Sequence, residues 1–375
     1  QSSRNWGWIR QQARDPAELP IAIDSINTWE SLSRELGTDI GFTRQGVLYL
    51  AETEAQLTQY EKWLNTAAQH QLDTRMLSST EVDALIKDKP GQWQGGMYTA
   101  SDGRAEPFKA VPALAKALRE CGGLIREGCA VRSVDVQTGK VGGVITENGR
   151  VAARSVVCAG GAWSTLFMAN MGVYLPQLSV RATVARTAPV PDIYSGSATL
   201  GEIAIRRRQD GGYTVATSNT NEHFIGADSF RYLRKFLPAL ASSVGLIRLR
   251  FGENIIARLL PVRRWQDYEI SPFEQTRVLN PAPSQAAIKK MRLGLTKRLP
   301  KLADVAIEEA WAGMIDVMPD VVPVMDQVAE YPGLFLATGF SGHGFGIGPG
   351  AGRVMADLVM GRTATHDLSR FRLSR

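Results

Sequence analysis

The chain has 375 residues, 44% of them hydrophobic, which supplies one large core or two ordinary ones and excludes a disordered polymer. Lys and Arg total 43 against 37 Asp and Glu, a formal charge of +6, but no basic block is longer than Arg206-Arg207-Arg208, which argues against a nucleic-acid stripe. No apolar run approaches the ~18 residues of a membrane span, nothing at the start reads as a leader, and Cys121, Cys129 and Cys158 lack C-x-x-C or zinc spacing, so a cytoplasmic protein with reduced thiols and no metal site is expected.

In chain order, Asp15-Pro16 opens a predicted helix with Ile23, Ile26, Trp29 and Leu36 on one face, stopped at Gly37. QGVLYLAE (45–52) reads as a strand, and ETEAQLTQYEKWLNTAAQ (52–69) and PFKAVPALAKALRECGG (107–123) read as helices, the second ending on Gly122. CAVRSVDV (129–136) reads as a strand, GKVGGVITENGRVAARS (139–155) as a hairpin turned at Asn148-Gly149, and SVVCAGGAW (155–163) as a short buried strand running into Gly160-Gly161. EIAIRRR (202–208) and GYTVATS (212–218) are strands joined by Asp210-Gly211-Gly212. Residues 230–252, FRYLRKFLPALASSVGLIRLRFG, pair apolar with basic positions as an amphipathic helix would, and LNPAPSQ (279–285) is loop chemistry inside a domain. The alternation is α/β or α+β, without repeats.

Near the carboxyl end GLFLATGF (333–340) is a buried strand in pattern, and GFSGHGFGIGPGAG (339–352) follows it with seven glycines in fourteen residues, a density that suits positive φ or a ligand pressed on the backbone. A helix is predicted after Pro349, with Val354, Met355 and Leu358 on one face and Gly361 as its stop. Strand, glycine loop and helix form an anion-binding geometry, because first-turn N–H groups are unpaired and carry partial positive charge. Gly346, Gly348 and Ala351 satisfy G-x-G-x-x-A, but only fourteen residues follow Gly361, too few for the next parallel strand of a dinucleotide fold.

Together GLFLATGFSGHGFGIGPGAG, VDVQTGKVGGVITENGRVAARSVVCAGGAWS and GMIDVMPDVVPVM resemble the FAD-dependent oxidoreductases related to D-amino-acid oxidase, glycine oxidase and sarcosine oxidase. The resemblance runs from residue 1 to about 365. It implies a two-domain fold: a Rossmann-like flavin domain from 1–36, 103–175 and 331–375, and a substrate domain on an antiparallel sheet from 37–102 and 176–330. It implies flavin contacts from Gly339, Gly342, His343, Gly344, Phe345, Gly346 and Ile347, and contacts toward the adenine and pyrophosphate from Val131, Ala159, Gly160, Gly161 and Trp163. Ser2, Ser3, Arg4, Asn5 and Trp8 would pass beneath the flavin, with Trp6 as a further wall.

Family members also carry a strand–GxGxxG–helix–strand unit that residues 1–50 lack, so a βαβ unit of ~30 residues is expected to precede Gln1. The implied activity is oxidation of the C–N bond of an amino acid or amine to an imine, by hydride transfer to flavin N5, with oxygen or another electron acceptor. Alternatives are a flavin-free binding subunit and a peripheral membrane module at the inner face of the membrane.

FAD is expected to be held without a covalent bond, because Gly313 stands where sarcosine oxidases place their tethering cysteine before the Pro319-Asp320 pair. Where related oxidases carry a carboxylate-clamping arginine, Ile315 and Asp316 stand. With Met314 and Met318 they imply an apolar wall suited to amines or bulky derivatives. Asp316 is the candidate for a cationic nitrogen, Arg181 the alternative clamp, and His343 and Asp316 the catalytic candidates. Phe224 takes the place of an oxygen-activating lysine.

Overall fold

The computed structural model describes residues 1–88, 91–218, 220–242, 247–252 and 264–375. From the amino end a short 3-10 turn (Ser2–Arg4) leads into β1 (Trp8–Ile9), α1 (Leu19–Glu35), β2 (Thr43–Arg44), β3 (Val47–Ala51), α2 (Glu54–Gln69), β4 (Thr74–Ser78) and α3 (Ser79–Leu85). Then come β5 (Gly95–Thr99), β6 (Gly103–Arg104), α4 (Pro107–Glu120), β7 (Val131–Gln137), β8 (Lys140–Thr146), β9 (Gly149–Ala152), β10 (Val156–Cys158) and α5 (Ser164–Asn170). The next run is β11 (Leu178–Thr187), β12 (Ser197–Leu200), β13 (Ile203–Arg207), β14 (Tyr213–Thr217), β15 (Asn221–Phe224), α6 (Ala227–Arg231), α7 (Leu233–Ser242) and β16 (Ile247–Arg250). The chain closes with α8 (Pro272–Gln275), α9 (Gln285–Arg298), β17 (Ile307–Val317), β18 (Val324–Gln327), β19 (Leu334–Thr338) and α10 (Gly344–Val359).

Helix α1 starts at Leu19 because Asp15 to Glu18 form a turn, with the Asp15 carboxylate accepting the Ala17 N–H at 2.9 Å. Its buried face holds Leu19, Ile21, Ala22, Ser25, Ile26 and Trp29, one step round from the predicted stripe, and Gly37 beyond its end has φ +58°. The β8–β9 turn is centred on Glu147-Asn148, one residue earlier than expected, since Thr146 pairs directly with Gly149. Strand β10 is only partly buried, with Val157 41% exposed. The 230–252 stretch is not one helix: it breaks into α6, α7 and β16, with residues 243–246 outside those described.

The architecture is two-sided. A ten-stranded sheet runs β16-β15-β11-β14-β13-β12-β3-β5-β4, with β17 on β11, and its main core is closed by α3 and α9 through residues such as Leu48, Ile203, Val215 and Met291. The second side contains the sheet β10-β19-β18, in which β10 and β19 are parallel, the meander β7-β8-β9, and α10 against α1. Because β18 hydrogen-bonds to β19, this side reclaims the chain by residue 324 rather than at 331.

Candidate active site

Strand β19 delivers the chain to a turn at Gly339–His343, where Gly339, Ser341 and Gly342 have φ of +76°, +51° and +89°. Asp316 ties that turn. Its Oδ2 accepts the N–H of Gly339 at 2.6 Å and of Phe340 at 3.3 Å and the Thr338 hydroxyl at 3.3 Å, while its carbonyl accepts the Ser341 N–H at 2.9 Å. Burial pushes the Asp316 carboxyl up from its ordinary range, against the pull of these N–H groups. Its Oδ2 is therefore committed to the turn, while its charge also acts on the amino group of Gln1.

Helix α10 begins at Gly344, six residues before the expected start, so most of the glycines are helical and Pro349 lies inside the helix. Each glycine has its own reason. Gly339 and Gly342 need positive φ. A Cβ on Gly344 would sit 3.0 Å from Phe340 Cβ, one on Gly346 3.1 Å from the Trp8 carbonyl, and one on Gly350 2.5 Å from the Ile21 carbonyl. The Gly346 carbonyl also accepts Ser25 Oγ at 2.7 Å and Trp29 Nε1 at 3.0 Å. These three glycines thus press α10 onto α1, β1 and its own preceding turn. Only Gly348 and Gly352, one helical turn apart, meet nothing within 4 Å.

His343, before the helix, is 7% exposed and its Nε2 lies 2.7 Å from Glu18 Oε1. Burial and the nearby Arg14 push its pKa down to about 4, so the ring is neutral at pH 7 and ties α10 to α1. Its Nε2 thus acts as a strut between the two helices. The N–H groups of Gly344, Phe345 and Gly346 have no acceptor among the described residues, and His343 offers no side-chain cap.

The amino-terminal segment lies along β17. Met314 N donates to Gln1 Oε1 at 3.0 Å, Arg4 Nη1 to the Ala312 carbonyl at 2.6 Å, and Trp311 Nε1 to the Arg4 carbonyl at 3.0 Å. Asn5 Nδ2 reaches the Gly342 carbonyl at 3.1 Å. Trp6 and Trp8 meet edge to face at 6.0 Å. The Ser2 and Ser3 hydroxyls take no partner among the described residues, whereas Arg4 is already engaged.

Alternation along β17 sorts the expected substrate residues. Gly313 faces Gln1 and Arg4, and Ile315 touches the turn, since a Cβ on Gly342 would lie 3.3 Å from Ile315 Cδ1. Met314 stands directly opposite Arg181 in the register, on the other face of the sheet. There Arg181 donates to Glu222 at 2.6 Å and to the Ala282 carbonyl at 3.1 Å. Met318 lies under Gly339. Of the expected apolar wall, Ile315 and Met318 thus meet the turn while Met314 stands on the opposite face with Arg181, which is paired with Glu222.

What sequence reasoning missed lies on the near face. A cavity of about 380 Å³ is bounded by Asn5, Phe108, Trp311, Arg186, Arg206 and Glu106. Arg206, 3% exposed, forms a fork with Glu106 at 2.8 and 3.0 Å and donates also to Thr214 Oγ1 and the Trp6 carbonyl. Burial pushes the Glu106 carboxyl up, but Arg206 and the Gln209 N–H together hold it below its ordinary value. The only sequence signal was the Arg206-Arg207-Arg208 run, which showed its charge and not its direction.

Beyond the carboxyl end of β10, Ala159, Gly160 and Trp163 line a groove of about 370 Å³ together with Val131 at the start of β7. Gly161 has φ +56°, and its carbonyl accepts Gln177 Nε2 at 2.8 Å. This is where α/β folds hold dinucleotides.

Residues 1–358 match the family described as DAO, FAD dependent oxidoreductase. The chain belongs to this family. It is 27% identical over 364 residues to a D-amino acid dehydrogenase of Sinorhizobium medicae (strain WSM419), an alignment covering 95% of this chain and 74% of that one. Its fold superposes on L-amino acid deaminase from Proteus myxofaciens, solved with anthranilate, with a TM-score of 0.95 and 29% identity over 100% of this chain and 85% of that one. For L-amino acid deaminase from Proteus vulgaris the values are 0.94 and 26%, over 100% and 88%. The two-domain fold of this family and its FAD-dependent oxidoreductase class, acting on CH–N groups, are those of the chain.

The geometry fits the flavin end of FAD. Free N–H groups at the start of a 16-residue helix suit an electron-rich ring edge, and a Cβ would enter open space at Gly348, Gly352 and Gly161. Within the described residues no strand–GxGxxG–helix unit supplies a diphosphate cradle. Among them, too, no helix is long and apolar enough to cross a membrane.

Proposed function

We propose that the chain oxidises the C–N bond of an amino acid bound in the cavity beside Asn5. The observation that carries this reading is the double position of Asn5: its amide reaches the Gly342 carbonyl at 3.1 Å and its side also borders the 380 Å³ cavity. Turn and cavity therefore share one wall.

The residues that would hold FAD are Ser2, Ser3, Asn5 and the backbone of Gly342 to Phe345 at the ring, with Val131, Ala159, Gly160, Gly161 and Trp163 toward the adenine. FAD, when bound, supplies a two-electron acceptor for the α-hydrogen, taken as hydride. The amino acid, with its nitrogen neutral, becomes an imine that water hydrolyses to a carbonyl compound and an amine or ammonia. First-turn N–H groups of α10 would favour negative charge on the ring edge beside them. Phe108 and Trp311, edge to face at 5.6 Å, would screen the cavity from water.

An amino acid is favoured over a simple amine because the cavity wall carries guanidinium groups. Arg206 is spent on Glu106 and Trp6, so Arg186 would take the carboxylate, leaving exposed Glu309 at 3.2 Å and Glu308 at 3.7 Å. The names of the relatives, D-amino acid dehydrogenase and L-amino acid deaminase, support the same class without settling the hand.

Anaerobic mixing with D- and L-amino acids, glycine, N-methyl amino acids and diamines tests it by bleaching of the flavin band. Amino acids should bleach it, and Arg186→Leu should raise the half-saturating concentration about tenfold, the worth of ~1.4 kcal/mol, with little change at saturation. Bleaching by diamines alone, indifferent to Arg186→Leu, overturns the reading.

A second reading concerns the membrane surface. Phe230 and Leu237 are 64% and 53% exposed and lie beside Arg231, Arg234 and Lys235 in α6 and α7, which suits a peripheral contact with anionic lipid and electron delivery to an acceptor other than oxygen. Flotation with anionic liposomes is expected. Protein that stays at the bottom of the gradient removes it.

A further inference from the structure

On the face of the large sheet turned away from Asn5 lies a second, smaller cavity of about 220 Å³, bounded by β11, β15, β16 and the first turns of α9. Among the described residues four cationic side chains line it, Arg181, Arg248, Lys289 and Lys290, against the one carboxylate of Glu222. That carboxylate is already spent: Oε2 accepts Arg181 at 2.6 Å, and Oε1 accepts Arg250 at 3.0 Å and Ser284 Oγ at 3.2 Å. Arg248 and Lys289 make no ion pair among the described residues. Lys290 donates to Thr220 Oγ1 at 2.7 Å, and its amine is held below its ordinary pKa by burial and by the neighbouring Arg248. Like charges gathered in one concavity repel, and a counter-anion offsets that repulsion.

The start of α9 adds directed donors. Ser284 Oγ caps the Ala287 N–H at 3.4 Å, whereas the N–H groups of Gln285 and Ala286 have no acceptor among the described residues, and Ala286 borders the cavity. A cavity of about 220 Å³ has room for one small oxyanion with part of its hydration.

We propose that this cavity binds a small oxyanion, a phosphate or a carboxylate, held by Arg248, Lys289, Lys290 and the Ala286 amide. The site is separate from the substrate cavity because Arg181 and Thr183 project from β11 to the opposite face from Trp311 and Ile315.

Titration calorimetry of the flavin-loaded protein, at constant ionic strength in chloride, tests this with sodium phosphate in one arm and sodium succinate in the other. Binding of one equivalent in either arm is expected, and the arm that responds identifies the anion. The double variant Arg248→Gln/Lys289→Gln, at two exposed positions, should bind at least tenfold more weakly while its flavin spectrum and melting temperature stay unchanged. No heat from either anion up to about 10 mM, equivalent to a binding free energy weaker than ~3 kcal/mol, overturns the proposal. So does a double variant that binds like the parent. The readout is heat and not turnover, so it stands whether or not the substrate reading does.

Discussion

His343 Nε2 and Glu18 Oε1 lie 2.7 Å apart with both side chains almost wholly buried, so the N-terminus of α10 is tied to that of α1 by a neutral imidazole and a carboxylate. The His343 pKa is pushed down to about 4, below the ordinary histidine value, so the folded state binds fewer protons than the unfolded one between those two values. Stability contributed by this group is complete above pH ~6.5 and falls as pH drops toward 4. Denaturant midpoints measured from pH 7.5 to 4.5 should fall across that window. The slope should flatten in His343→Gln, and a variant with the same slope as the parent assigns the pH dependence to other groups.

Asp316 organises the turn through three donors at one oxygen. Asp316→Ala leaves the Gly339 and Phe340 N–H groups buried without an acceptor and should cost about 1–3 kcal/mol, with loss of bound flavin. Asp316→Asn keeps an acceptor oxygen and should lose less of both. Melting temperature and the ratio of flavin to protein absorbance after gel filtration report the two effects separately.

The glycines of α10 separate packing from ligand contact. Gly350→Ala drives a methyl against the Ile21 carbonyl and should destabilise by about 1–3 kcal/mol. Gly346→Val meets β1 in the same way, so its first effect is on folding, not on the flavin. Gly348→Ala enters open space and gains helix propensity, so the flavin-free protein should be stabilised by about 0.5–1 kcal/mol. If Gly348 faces the cofactor, the same variant should also weaken flavin binding. Equal melting shifts for Gly348→Ala and Gly350→Ala would refute the assignment.

The Arg206–Glu106 fork joins the substrate sheet to the segment carrying Asn5 and Gly7. Arg206→Met strands a buried carboxylate and should cost about 3–5 kcal/mol, whereas Arg206→Met/Glu106→Leu should recover much of that loss. Chemical denaturation of the two single variants and the double variant gives the coupling. Simple additivity in that cycle would mean the pair is not the joint.

Flavin release tests the nature of the bond to the cofactor. Gly313 offers no thiol, and Cys121, Cys129 and Cys158 are distant in sequence from β17, so acid precipitation should leave all yellow colour in the supernatant. Colour retained in the washed pellet would contradict a purely non-covalent site.

From the amino-acid sequence alone, the strand at 334–338, the β13–β14 hairpin at Asp210-Gly211-Gly212, and helices α2 and α4 were legible, because local periodicity and turn residues set them. The resemblance to the family was equally legible, since it rests on glycine blocks in fixed order. The extent of α10 was not. Glycine and Pro349 oppose a helix by intrinsic propensity, and only the burial of Phe345, Ile347 and Ala351 beside α1 and β1, with Gly346 and Gly350 allowing the close approach, overrides that preference. Nor was the identity of the cavity wall. A period of two says that Trp311, Gly313 and Ile315 share one face of β17 and Met314 and Asp316 the other, but it is silent on which strand pairs with β17 and which face meets the cavity. The pairing of β17 with β11, and the amino-terminal segment laid along β17, made that choice. It turned Arg186 and Arg206 toward Asn5 and sent Arg181 to the basic cavity behind the sheet.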